Sequence, residues 1–199
     1  MNLSTILFAG VIGAFFGLVI YVIAVYNFLN ATKVRIKASI QEIGNQLKRQ
    51  AELIPNLTNS TKGYMAHEQQ VFTKLTDARK SISSAVESGD IEKMLQANEQ
   101  MMQAMPAIKV VLESNPELKA SEVVKDLMNN LTDTSDKVSY ARRLLIDLTA
   151  DYNQRLVMFP SNIIADVFGF KEEAGLKAPT SGQHIEVSEK DTVTPEVTI

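Results

Sequence analysis

The chain has 199 residues, a formal charge of -3, no cysteine and no tryptophan. Its length suits one domain with appended segments, and the missing cysteines exclude disulfides, thiolate metal sites and a cysteine nucleophile. The nearly balanced charge, without a basic stripe interleaved by aromatics, argues against nucleic acid as a partner.

From Met1 to Thr32 there is no charged side chain, and Ile6 to Val25 is apolar apart from Tyr21. Twenty residues rising about 1.5 Å each cover about 30 Å, the hydrocarbon thickness of a bilayer. The segment reads as a retained transmembrane helix, because a cleaved signal needs a positive n-region and a small-residue cleavage site. Tyr21 and Tyr26 sit toward its inner end, and Lys33, Arg35 and Lys37 follow. The positive-inside rule then predicts a short N-terminus outside the inner (cytoplasmic) membrane and a cytoplasmic C-terminal body. Lys48 and Arg49 extend the basic residues into an expected juxtamembrane group that contacts membrane lipids. Within the span, Ala9, Gly13 and Gly17 fall four apart. That spacing suits a close helix–helix contact and homo-oligomers, and it also matches the ordinary glycine content of membrane helices.

Past the basic flank, Ile36, Ile40, Ile43, Leu47 and Ile54 keep a three-and-four spacing, so the membrane helix is expected to continue as an amphipathic one. Pro55 removes a backbone donor. The apolar phase resumes at Thr61, Met65, Phe72, Leu75, Ile82 and Val86, which predicts a kinked helix in preference to a loop. Ser88-Gly89-Asp90 marks a break, with a cap residue for each flanking helix. A second helix is predicted from Ile91 to about Glu113, bent at Pro106, with Met94, Met101, Met102 and Met105 read as core packing.

Asn115-Pro116-Glu117 has the form of a helix start. One long third helix is predicted from there to Phe159-Pro160, burying Val124, Leu127, Leu131, Val138, Ala141, Leu145, Leu148, Tyr152 and Leu156. Ser161 is expected to cap a short helix, Asn162 to Phe168, stopped by Gly169. Its residues Ile163, Ile164, Val167 and Phe168 either close the bundle, the preferred reading, or dip into a membrane or partner. From Lys171 the composition turns polar and acidic, as in a disordered tail. The predicted organisation is a transmembrane anchor over 1–32, a helical bundle over 33–170 and a tail over 171–199. The fold class is all-α: the anchor helix continues into an antiparallel three- or four-helix bundle with coiled-coil-like seams.

Candidate chemistry is sparse. His67-Glu68 pairs a histidine with a carboxylate, but a zinc peptidase helix needs a second histidine where Val71 stands. Catalysis, metal and cofactors are therefore not expected. Arg142-Arg143 suits a solvated helix face or a salt bridge to a neighbouring helix.

Several short words occur in one order along the chain: Tyr26-Asn27, Gln46-Leu47-Lys48-Arg49, Leu53-Ile54-Pro55-Asn56-Leu57, Lys62-Gly63-Tyr64 with His67-Glu68, Ala78-Arg79 and Pro116-Glu117-Leu118-Lys119-Ala120. Ala141-Arg142-Arg143, Tyr152-Asn153 and Phe159-Pro160-Ser161-Asn162-Ile163-Ile164-Ala165 with Gly169-Phe170 complete the set. Together they resemble the LemA family of bacterial membrane-anchored helical proteins over most of residues 26–170. The resemblance implies a single N-terminal span, an antiparallel helical bundle and no established enzymatic activity. The chain departs from the family pattern at Leu145-Ile146, where a second Tyr-Asn pair is usual, and around Thr134-Ser135, where an acidic Thr-Glu is usual. The expected function is that of a non-enzymatic scaffold which self-associates or organises other membrane proteins. A lipid-binding or membrane-shaping protein is the alternative, followed by a membrane-tethered hydrolase.

Overall fold

The computed structural model describes residues 2–63 and 69–176. Among the described residues there are six helices and no strand: α1 (Leu3–Thr61), α2 (Gln69–Ser88), α3 (Ile91–Ser114), α4 (Pro116–Ala120), α5 (Glu122–Val157) and α6 (Ser161–Val167). His67 and Glu68 lie outside the described residues.

The 59 residues of α1 make a rod about 88 Å long. Its first third is exposed, and burial begins at Val25. From there Val25, Leu29, Thr32, Ile36, Ser39, Ile43, Leu47, Gln50, Ile54, Leu57 and Thr61 form one stripe, each at most 4% exposed. Ten steps over 36 residues average the period of a straight α-helix, so the stripe runs along the rod without the drift that winds a heptad repeat into a supercoil. The hydroxyls inside the stripe are satisfied locally. Thr32, Ser39 and Thr61 donate to the carbonyls of Phe28, Arg35 and Leu57 at 2.8, 3.1 and 2.8 Å.

α5 packs antiparallel along α1 and forms the most extensive pairing of the fold. α2 folds back on the distal half of α1, and α3 runs outward again against α2. The distal half is therefore a four-helix bundle, while the half nearer the N-terminus is the α1–α5 pair closed by α6. The all-α antiparallel bundle is as the apolar periodicity predicts.

The connections differ from the sequence reading in three places. The helix neither kinks into a longer one nor stops at Pro55. It passes through Pro55 and ends at Thr61, and the next described helix, α2, packs back against it. A mid-helix proline costs about 3 kcal/mol. Ile54 and Leu57, 2% and 0% exposed, each gain about 1.5–3 kcal/mol by burial, which offsets that cost. The predicted third helix is two: Ser121 adopts an extended conformation, and its hydroxyl accepts from the Val124 amide at 3.4 Å, which starts α5 afresh. Ser161 does not cap α6. Its hydroxyl lies within 2.7 and 2.8 Å of the Arg155 and Met158 carbonyls and binds the turn to the end of α5.

Two glycines at φ +67 and +69, Gly89 and Gly169, end α2 and α6 in the left-handed region that a side chain disfavours. Asp90 then caps α3, accepting from the Glu92 and Lys93 amides at 2.9 and 3.3 Å. The methionine face divides: Met94 and Met101 are buried, while Met102 and Met105 line an open groove. Leu127 and Leu156, expected in the seam, are only half-buried.

Candidate functional site

The residues of the recurrent words do not form one constellation. Leu53, Ile54, Pro55 and Asn56 lie about 40 Å along α1 from Tyr26. Their role is packing, because Ile54 is in the buried stripe and Leu53 lies against the core.

The other group does converge, in a collar around the N-terminal end of the body. Gly169 reverses the chain, and residues 170–176 run back along α5 and α1, where sequence composition suggests a tail. Asn153 grips that strap through its amide: Nδ2 donates to the Glu173 carbonyl at 2.8 Å, and Oδ1 accepts from the Glu173 amide at 3.0 Å. One side chain thus imitates a ladder pair of a sheet. The Tyr152 hydroxyl donates to the Lys171 carbonyl at 3.1 Å from a fully buried ring. The Glu173 carboxylate reaches Lys33 on α1 at 2.9 Å. Phe170 and Leu176 pack on the core as well, so the strap belongs to the body at least as far as Leu176.

Charge follows this geometry. The hydrogen bond that Lys33 donates to the Glu173 carboxylate holds its ammonium above the usual range, against a smaller opposing effect of desolvation. Burial pushes the Tyr152 phenol up, and the neighbouring Lys33 cation opposes it. With both partners a third exposed, the ion pair contributes about 0–1 kcal/mol, so the backbone clamp at Asn153 is the stronger hold on the strap.

Aromatic rings complete the collar. The Tyr26 ring lies 5.0 Å from Phe168 and 5.6 Å from Phe170 between centroids. The Arg155 guanidinium stands 4.8 Å from the Phe28 ring centroid. Asn27 is exposed and takes no part in the clamp. Phe159 is 79% exposed beside Pro160 at the turn between α5 and α6.

The expected basic group divides. Lys33 is engaged in the collar, and Arg35 and Lys37 are exposed beside it. Lys48 and Arg49 lie about 22 Å further along the same helix, beyond the screening length of about 8 Å at physiological salt. Lys48 borders a shallow hollow against α2, and Arg49 donates to Asn130 Oδ1 at 2.9 Å. Both lie on the surface of the bundle. Arg142 pairs with Glu99 of α3 at 3.8 Å, while Arg143 is exposed.

Ala9, Gly13 and Gly17 lie on the exposed third of α1, and a Cβ added at either glycine meets nothing within 4 Å. The stripe is open to a partner helix.

A polar node escaped the sequence reading. Gln50, fully buried, donates through Nε2 to Ser135 Oγ at 2.8 Å and to Asn98 Oδ1 at 3.2 Å, tying α1 to α5 and α3. The available signal was position: Gln50 falls three residues after Leu47 and four before Ile54, in phase with the buried stripe.

Among the described residues no group of three His, Asp or Glu side chains comes together as metal ligands. A depression of about 590 Å³ is an open groove between α3, α4 and α5, with Met102, Met105, Leu112, Leu118, Val124 and Met128 in its lining. Lysines 109, 119 and 125 rim it with Glu113, and no paired acid and base converge there. Such a surface is suited to contact with another apolar surface.

The structure is thus that of a helical-bundle protein carrying one N-terminal helix long and apolar enough to cross a membrane. The profile of the LemA family matches residues 39–188, and the chain belongs to that family. It is similar to magnetosome protein MamQ of Magnetospirillum gryphiswaldense, 25% identical over 148 residues that cover 63% of this chain and 54% of the relative. Magnetosome proteins MamQ 1 and MamQ 2 of Paramagnetospirillum magneticum are each 24% identical over 148 residues, with the same coverage. The chain spans about half the length of these curated relatives.

Proposed function

We propose that the protein is a non-enzymatic, membrane-anchored scaffold of the inner membrane whose body stands on the cytoplasmic side and which self-associates or organises other membrane proteins. The observation that carries this reading is α1 itself: one unbroken helix supplies both the exposed apolar third and the central stripe of the body. A span joined to a body by a continuous rod transmits position and orientation, whereas a span joined by a flexible linker would only tether. The orientation rests on Lys33, Arg35 and Lys37, which follow the apolar length within a few residues. The collar supports the same reading, because it binds α5, α6 and the strap to α1 where the rod leaves the bilayer. For self-association the open small-residue stripe offers close approach in lipid, and the methionine-lined groove offers an adaptable apolar surface on the body.

The mass of the detergent-extracted full chain tests the assembly step, beside a Gly13→Leu, Gly17→Leu double variant at matched concentration. A Cβ added at either glycine meets nothing within 4 Å in the protomer, so a change in mass reports on contact between copies. A defined oligomer that loses subunits in the double variant is the expected result. If both proteins are monomeric, self-association is wrong. If the double variant keeps the full assembly, the body carries it and the glycines are ordinary membrane-helix composition.

A further inference from the structure

We propose that the turn and short helix after α5, residues 157–168, form a second and shallower contact with the bilayer that α1 crosses, seated at the boundary between headgroups and acyl chains. The inference rests on α1 being inserted but is independent of whether copies associate.

The sequence gives this segment two apolar faces. Ser161, Ile164 and Ala165 turn inward and close the α1–α5 pair. The outward side is apolar too: Val157 is 76% exposed, Phe159 79%, Ile163 54%, Val167 74% and Phe168 50%. A helix that only closes a bundle in water carries polar residues on its outer face. The charged residue of α6, Asp166, lies about 60° from Ile163 and 100° from Val167 around the helix, at the flank of the apolar stripe.

The position of the patch identifies what covers it. The ring of Phe168 rests on Tyr26 of α1, which fixes the height of α6 along the rod. The uncharged part of α1 runs from Leu3 to Thr32, about 45 Å, the thickness of a bilayer with its headgroup layers. Tyr26 lies about 9 Å short of the inner end of that length, in the zone that tyrosine and other amphipathic rings favour. The patch is thus continuous with the surface of the span and at the level of the inner leaflet's interface. Arg155, Lys171, Asp166 and Glu172 are exposed around it. With both signs of charge present, the contact is made by apolar insertion and does not require anionic lipid. Two points of contact on one rigid rod would set the tilt and rotation of the body above the membrane, which a lone span leaves to its neighbours.

The absence of tryptophan allows a direct test on the full chain. Single-tryptophan variants Val167→Trp and Phe159→Trp are reconstituted into phosphatidylcholine vesicles with brominated acyl chains. Ile12→Trp within the span and Val110→Trp on the distal half of α3 serve as references. All four sites are exposed in the protomer, so the ring is accommodated. A side chain 5–10 Å into the boundary should lose about half or more of its emission to bromine, and Val110→Trp about a tenth or less. Quenching at position 167 or 159 well above that at position 110 supports the proposal. If Ile12→Trp is quenched while both reporters match Val110→Trp, the patch faces water or a protein and the proposal is overturned. If Ile12→Trp is not quenched, α1 is not inserted, and the anchor reading falls together with this one.

Discussion

Replacing Leu47 by Asp is expected to cost about 4 kcal/mol or more and to unfold the distal bundle, because an unpaired carboxylate would replace a fully buried side chain at the centre of the α1 stripe. Helicity followed by circular dichroism through a denaturant titration of the detergent-solubilised chain measures it. Leu127→Asp is the informative comparison. Its side chain is half-buried, so the new carboxylate can reach water and the loss should be well under half of that at Leu47. Equal losses at the two positions would mean that the buried face of the bundle is misplaced.

Pro55→Ala has the opposite sign. A proline six residues from the nearer end of a helix forfeits a hydrogen bond and crowds the preceding turn, at about 3 kcal/mol relative to alanine. Alanine returns about 0.5–1 kcal/mol of that by loosening the unfolded chain. A net gain of about 2 kcal/mol is therefore expected in the same titration. A neutral or negative result would place Pro55 at a helix boundary, where proline costs nothing, and would break the continuity of α1.

These two sites also show where the sequence was legible and where it was not. The uncharged stretch before Thr32 and the apolar period after it are strong signals, and span, stripe and helical class follow from them. Apolar phase alone could not decide what happens after Thr61. A helix that continues and a helix that folds back both bury one stripe at three-and-four spacing, and Val71, Leu75, Ala78, Ile82 and Ala85 fit either. Lys62-Gly63 was the local sign of a stop, and it lacked the clear cap chemistry of Ser88-Gly89-Asp90. Ser121 was overlooked because Asn115-Pro116-Glu117 already supplied a convincing helix start a few residues earlier. The collar was half visible. Tyr26, Tyr152, Asn153 and Phe170 stand out as members of recurring words, but their convergence depends on a strap whose polar composition resembles a tail. Composition cannot report that Asn153 will hold the Glu173 backbone by two hydrogen bonds. The Gln50 node was missed for a related reason, since a polar side chain in a buried phase reads as a gap in the pattern until its partners are known.

The distance along α1 in the intact protein tests the central claim most directly. The chain contains no cysteine, so Ala24→Cys and Ser60→Cys place a single pair of spin labels at exposed positions on the same side of the rod, ten helical turns apart. The labelled chain is reconstituted in a bilayer and diluted with unlabelled protein so that pairs within one chain dominate the dipolar signal. A continuous helix through the basic flank and Pro55 predicts a narrow distribution centred near about 54 Å. A broad distribution, or one centred well below that distance, would show a hinge between anchor and body and would contradict the rigid-rod scaffold.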